Sequence, residues 1–272
     1  MRRAEVGMGW KLGFALLFVA LSAAASDRGA DGKFDVRTSS HFVLHQDVDI
    51  DESGGFHGSR RFEQQVLATL EAAYESLDRL LGLRPERKLD VVVYDPAIFD
   101  QQFGGLFRFQ AAGFYAGIIR VRGASELSIQ LQRVLHHELV HAALDAAAPS
   151  LVLPAWINEG GAEWFEARAA LGARGLSGRE WAALRHWAAS GSLFSLSQLS
   201  VPAFSRMGAQ NAQIAYVQSH ALIDFLVRNG GERTLPRFYG ELIRSRDVER
   251  ALKRVYRLDL RKLEAQFFDQ FR

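Results

Sequence analysis

Cysteine is absent from this sequence of 272 residues. Its absence excludes disulfide bonds, an iron–sulfur cluster, a thiol nucleophile and lipid attachment at a signal-peptide cysteine. Any bound metal must therefore be held by histidine and carboxylate side chains.

The sequence also lacks a strong charge of either sign. Its formal net charge is +2, and that excess lies in the first 25 residues, where Arg2, Arg3 and Lys11 outnumber Glu5 by two. It contains no long run of lysine and arginine and no basic patch interleaved with aromatic residues. The sequence therefore gives no support for nucleic-acid binding, and we expect no nucleic-acid partner.

Hydrophobic runs long enough to cross a membrane are lacking as well. A basic start precedes an apolar run over residues 12–21, and the small residues 22–25 (Ser-Ala-Ala-Ala) resemble a signal cleavage region. The apolar stretch is shorter than the about 20 residues that a spanning helix needs. We therefore expect residues 1–25 to be a secretory signal and the protein to be periplasmic or extracellular, without stable membrane insertion after cleavage. An uncleaved N-terminal membrane anchor is the alternative.

The N-terminal half, about residues 35–124, has the pattern of a small mixed β-sheet backed by one helix. Residues 41–46, 89–94 and 113–121 are short runs rich in apolar, β-branched or aromatic side chains, which predicts three strands. Between the first two runs, apolar residues recur at helical spacing over residues 62–80, which predicts the backing helix.

The C-terminal half, about residues 125–272, has helical periodicity throughout. Proline or glycine interrupts the pattern near Pro149, at residues 172–178 and at residues 229–231, where helices are expected to end. This half is predicted to be an all-helical lobe. The two halves together predict an α+β fold in a single domain over residues 26–272.

The first helix of this lobe carries the segment His137-Glu138-Leu139-Val140-His141. Histidines at positions i and i+4 lie about 6 Å apart along one helix face, so both imidazoles can reach one zinc ion. Glu138, on the same turn, can act as general base toward water activated by that ion. The alternative is a chance pattern, but two imidazoles on an otherwise apolar helix are costly to bury unless they are ligated or hydrogen-bonded.

A second segment, residues 154–163, supplies a third ligand. Glu159 follows His141 by 18 positions, beyond the prolines that allow a second helix to pack against the first. Two consecutive glycines follow Glu159, and each costs about 1 kcal/mol relative to alanine inside a helix, which indicates that another backbone approaches closely there. Glu163, one turn beyond Glu159, is placed to accept the other N–H of a ligating histidine. The alternative for Glu163 is a solvated helix residue.

These two segments resemble the peptidase MA-like branch of the gluzincin metallopeptidases. In that group a His-Glu-x-x-His helix is followed by Trp-x-x-Glu-Gly-x-Ala-Glu, which this chain reproduces from Trp156 to Glu163. The resemblance implies a zincin or thermolysin-like catalytic domain and one zinc ion. It implies His137, His141 and Glu159 as ligands, Glu138 as general base and Glu163 as the outer partner of a ligand.

The same resemblance bears on the substrate. Aminopeptidase-type members carry a Gly-x-Met-Glu-Asn loop that holds the amino terminus of the substrate, whereas the corresponding residues 110–115 here read Gln-Ala-Ala-Gly-Phe-Tyr. This difference favours an endopeptidase acting on peptides or proteins. In the resembled fold the strand before the zinc helix borders the cleft, so an extended peptide is expected to pair with the strand at residues 113–121.

Two residues of the helical lobe qualify as donors to the oxyanion. Gluzincins in general place a tyrosine or histidine from the region after the third ligand against the substrate carbonyl. Tyr216 and His220 lie one turn apart on the same face of a predicted helix at residues 212–228. The alternative is that both are core residues whose polar atoms are satisfied within the protein.

Two other functions compete with the peptidase hypothesis. An exported zinc-containing binding or structural module would keep the metal without turnover, but a structural zinc site is closed by four protein ligands and needs no base such as Glu138. A hydrolase of non-peptide amides in the cell envelope would use the same chemistry.

Overall fold

A computed structural model describes residues 34–48, 58–106 and 111–272. The predicted signal at residues 1–25 lies outside these described residues. Within them, no helix combines the length and the apolar character needed to cross a membrane.

The N-terminal half forms a mixed sheet of five strands in the order β1-β2-β3-β5-β4. The pairs β2–β3 and β3–β5 are parallel, whereas β1–β2 and β4–β5 are antiparallel. The strands predicted at 41–46 and 89–94 are confirmed as β2 and β3. The five strands are β1 (Asp35–Thr38), β2 (Phe42–Gln46), β3 (Leu89–Tyr94), β4 (Gly113–Tyr115) and β5 (Ile119–Arg122).

The single strand predicted over residues 113–121 is wrong, because this segment is the β4–β5 hairpin. Gly117 has a φ of 76° in the connecting turn, a conformation that glycine adopts without strain. Ile118 in the turn and Ile119 at the start of β5 are both apolar and β-branched, so the sequence shows no break between the two strands. Of the two strands of this hairpin, only β4 is at an edge of the described sheet, because β5 lies between β3 and β4.

The backing helix is confirmed as α1 (Gly58–Leu81), which packs against β2. Its face toward the sheet is fully buried at Val66, Leu70 and Leu77. Gly82 follows with a φ of 68°, the left-handed conformation that commonly ends a helix.

The helices after residue 125 confirm the helical C-terminal half and, with the sheet, the α+β fold. Helix α2 (Pro96–Phe103) lies in the N-terminal half, which was predicted to have only one helix. One cluster of buried side chains extends from the sheet through α1 into the helices. The helices are α2 (Pro96–Phe103), α3 (Ile129–Ala147), α4 (Ala155–Ala170), α5 (Gly178–Ala189), α6 (Leu196–Leu199), α7 (Ala209–Gly230), α8 (Thr234–Ser245), α9 (Val248–Tyr256) and α10 (Leu260–Asp269).

Helix α4 packs between α3 and α7 and is fixed there by its two glycines. A Cβ atom on Gly160 would overlap the backbone carbonyl of Ser219 on α7, and one on Gly161 would overlap the hydroxyl of Tyr239. That hydroxyl donates to the carbonyl of Ile157 at 3.0 Å. The close backbone approach expected from the glycine pair is therefore confirmed at Gly160, where α4 meets α7.

Candidate metal centre

Helices α3 and α4 bring the three predicted ligands together. Nε2 of His137 lies 3.3 Å from Oε2 of Glu159, and Nε2 of His141 lies 3.5 Å from the same oxygen. Donors bound to one tetrahedral zinc at about 2.0–2.1 Å would stand roughly 3.3 Å apart. The spacing of these atoms therefore fits a zinc ion held by two imidazoles and one carboxylate.

The outward nitrogens of both histidines face hydrogen-bond acceptors. Nδ1 of His141 lies 3.0 Å from Oδ1 of Asn158. Nδ1 of His137 lies 3.4 Å from Oε2 of Glu166 and 3.8 Å from Oε1 of Glu163. Acceptors at these positions suit a proton on each Nδ1, so that with a metal bound each Nε2 would be the ligand atom beside Glu159.

Sequence reasoning identified Glu163 as the outer partner and missed Glu166. The structure places both carboxylates beside His137, and Glu166 is the nearer of the two. A signal for Glu166 was present, because a residue seven positions after Glu159 lies only about 20° from it around the helix axis, against about 40° for Glu163. Asn158 was also missed, and no sequence pattern distinguished it from other polar helix residues.

Burial and charge shift the pKa values of these carboxylates in different directions. Burial raises the pKa of Glu159, but the two histidines outweigh burial and hold it well below its usual range. Burial, helped by the neighbouring Glu166, raises the pKa of Glu163 to about 7. Burial also raises the pKa of Glu138, although both histidines oppose that shift. These three acids, all close to His137, therefore differ in how readily each loses its proton.

Two cavities meet beside His137 and Glu138. The large cavity, of about 700 Å³, contacts His137, Glu138, His141 and Glu159. The small cavity, of about 370 Å³, shares His137 and Glu138 with it and continues along the N-terminal part of α3. Glu138 thus faces open space on the substrate side of the histidines.

The two candidate oxyanion donors have different surroundings. Tyr216 lines both cavities, and its ring centroid lies 6.4 Å from that of His137. Burial, followed by the nearby Glu159 and Glu163, raises the pKa of Tyr216, so its hydroxyl keeps its proton at neutral pH. His220 lines neither of these two cavities, and its Nδ1 lies 3.4 Å from Oε1 of Glu180 on α5. The structure therefore brings Tyr216 and not His220 to the cleft.

The edge strand β4 borders both cavities. The N–H of Arg122 donates to the carbonyl of Ala112 at 2.8 Å, and antiparallel pairing alternates, so the backbone groups of Gly113 and Tyr115 point away from β5. A Cβ on Gly113 would overlap the side chain of Val134, which explains the glycine beneath the cleft. The hydroxyl of Tyr115 donates to Asp145 of α3 at 2.7 Å and fixes the strand to that helix.

Two histidines and a glutamate that could hold a metal ion, on two packed helices next to a cleft with a sheet edge, are typical of a metal-dependent peptidase. The sequence model of the Peptidase MA superfamily matches residues 70–271. The chain belongs to this superfamily, which assigns it a peptidase-type hydrolytic function. A search of curated proteins found no match to the chain.

Proposed function

We propose that this protein is an exported zinc-dependent endopeptidase. His137, His141 and Glu159 would hold the ion, and Glu138 would act as general base. The observation that carries the proposal is the convergence of two Nε2 atoms on one Glu159 oxygen at 3.3 and 3.5 Å, beside an open cleft. Export rests on the sequence of residues 1–25 alone.

A catalytic role is favoured over a structural one by the number of donors. Among the described residues, the group at this point comprises two histidines and one glutamate. A structural zinc site has four protein ligands, whereas a catalytic site keeps one position for water or substrate. The large cavity adjoins all three donors and gives access to that position.

The bound metal, Glu138 and Tyr216 have separate tasks in the proposed hydrolysis. A zinc ion at this site supplies Lewis-acid polarisation of water and of the substrate carbonyl. Glu138 accepts a proton from the attacking water and returns it to the amine that leaves as the C–N bond breaks. The Tyr216 hydroxyl donates a hydrogen bond to the carbonyl oxygen as negative charge develops there.

The shape of the cleft supports internal cleavage of an extended chain. The two cavities lie on opposite sides of Glu138 along α3 and follow β4, so a peptide paired with that edge has space before and after the scissile bond. Much of the large cavity is apolar, which favours unfolded segments with apolar side chains over charged ones. Its apolar wall includes Phe103, Leu106, Phe114, Leu151 and Phe204.

The test combines metal analysis with cleavage of an unfolded protein. We expect about one zinc per purified mature chain, loss of cleavage on chelation and recovery on adding zinc back. Peptides with a blocked amino terminus should be cut as well as free ones. Zinc without cleavage of any peptide would favour the binding module, and cleavage restricted to free amino termini would indicate an aminopeptidase.

A further inference from the structure

Arg133 lies one turn before His137 on α3, at the wall of the small cavity. Its guanidinium contacts a single oxygen of Glu166, with Nε 2.8 Å from Oε1 and Nη2 also bonded to Oε1. The other oxygen, Oε2, lies 3.4 Å from Nδ1 of His137. The two oxygens of Glu166 therefore have different partners on the same helix.

This division matters because two carboxylates compete for one imidazole. Glu163 and Glu166 both lie within 4 Å of His137 Nδ1, and each could accept its proton. Only 6% of the Glu166 side chain is exposed, so a charged carboxylate there needs a cationic partner. Arg133 supplies that charge. Its Nε and Nη2 both donate to Oε1 of Glu166, which fixes the position of this oxygen and so the rotation of the carboxylate.

We propose that Arg133 is a positioning residue of the metal centre. By holding Oε1 of Glu166, it directs Oε2 to His137 Nδ1 and keeps the imidazole ring in the orientation that presents Nε2 beside Glu159. Arg133 acts on the metal centre through Glu166, because its guanidinium bonds to Glu166 and lies one helical turn from His137. The metal-affinity part of this inference rests on the proposed function, whereas the part on ring orientation concerns the protein alone.

The competing explanation is that the Arg133–Glu166 pair only joins α3 to α4. The chain offers a control for that explanation. Arg168 lies on α4 and pairs at 2.9 Å with Glu232, which is 47% exposed. Arg168→Met removes an arginine–glutamate pair that does not reach a histidine, so it reports the cost of losing an arginine pair from α4. The Glu166→Gln background described below accounts for the deeper burial of Glu166.

The first measurement is zinc affinity by chelator competition for Arg133→Met, Arg133→Lys and Arg168→Met. Loss of an outer partner of a ligand weakens metal binding by about 10- to 100-fold, and we expect a loss in this range for Arg133→Met. Arg133→Lys should recover part of the lost zinc affinity, because lysine restores the positive charge but not the pair of guanidinium N–H donors. Arg168→Met should bind zinc as wild type does. Equal loss in the Arg133→Met and Arg168→Met variants, or none in either, would overturn the proposal.

The second measurement tests whether Arg133 acts through Glu166. If it does, Arg133→Met should cause little further loss of zinc affinity in a Glu166→Gln background, because the two substitutions remove one interaction. Fully additive losses would contradict the proposed route.

The third measurement separates this inference from the proposed function. Crystal structures of the metal-free wild type and variants report the orientation of the Glu166 carboxylate and of the His137 ring. In Arg133→Met, Oε2 of Glu166 should move away from His137 Nδ1, whereas in Arg168→Met it should stay near the wild-type distance of 3.4 Å. An unchanged orientation in Arg133→Met would overturn the inference even if the protein proves to be a zinc peptidase. A changed orientation in a chain that binds no zinc would support the positioning role while the proposed function fails.

Discussion

The candidate centre has a cleft side and an outer side that differ in the groups they present. On the cleft side, Glu138 and Tyr216 line both cavities, where the two meet. On the outer side, Asn158 and Glu166 each line only one of the two cavities and face the Nδ1 atoms of the two histidines. Residues of the first side are placed to meet substrate at the junction of the cavities, whereas residues of the second are placed to orient a histidine.

This difference separates two kinds of effect. Substitutions on the cleft side should change turnover and leave metal affinity intact, because the ligand atoms keep their positions. Substitutions on the outer side should change metal affinity first, because they alter the basicity and orientation of the histidine rings. An outer substitution that altered kcat at saturating zinc would break the comparison.

The largest effect is expected for Glu138→Ala. Removal of the general base should lower kcat/KM by at least 100-fold, since such catalysis contributes about 10²- to 10⁴-fold. Zinc content should stay at the wild-type level, because Glu138 is not among the three donors. The two quantities are measured on the same preparation, and full activity of this variant would refute the mechanism.

Tyr216→Phe should give the next largest effect, with His220→Gln as its comparison. Loss of a donor that acts mainly in the transition state lowers kcat by roughly 10²- to 10³-fold with little change in KM. His220 faces Glu180 and lines neither cavity, so its substitution should leave kcat within a few-fold of wild type. If His220→Gln were the slower enzyme, the assignment of the cleft side would be wrong.

Parts of the fold that depend on local pattern were predictable from the sequence. The helix α1 and the strands β2 and β3 follow from apolar periodicity, and the His-Glu-x-x-His spacing fixes a helix face by itself. The β4–β5 hairpin was missed because a short turn at Gly117 interrupts neighbouring apolar residues without a break in composition. Local pattern therefore predicts elements better than it predicts the turns between them.

Parts of the site that depend on packing were not predictable. Arg133 and Glu166 are 33 positions apart, and no spacing rule links them. Tyr216 and His220 share a helix face, so only the packing of α7 on α4, set by the contact of Gly160 with Ser219, decides which of them reaches the cleft. The outer partners of a metal site are properties of the packed helices, not of a motif.

A smaller effect is expected for the two carboxylates beside His137. Glu166→Gln should weaken zinc binding by about 10- to 100-fold. Glu163→Gln should weaken it less, because its carboxylate is 3.8 Å from Nδ1 against 3.4 Å for Glu166. Chelator competition on both variants decides the order, and an unchanged affinity in Glu163→Gln would leave Glu166 as the sole outer partner of His137.

The smallest effect is expected for Asn158, because its amide oxygen is uncharged. A neutral acceptor 3.0 Å from Nδ1 orients the His141 ring but raises its basicity less than a carboxylate does. Asn158→Ala should therefore weaken zinc binding by about 10-fold, the lower end of the range for such partners. Asn158→Asp places a charged carboxylate beside His141, as Glu166 does beside His137. This variant should have a zinc affinity equal to or higher than that of wild type. If Asn158→Ala instead weakened zinc binding more than Glu166→Gln, ring orientation would matter more than charge at this centre. The outer hydrogen bond of His141 would then contribute more to zinc affinity than that of His137.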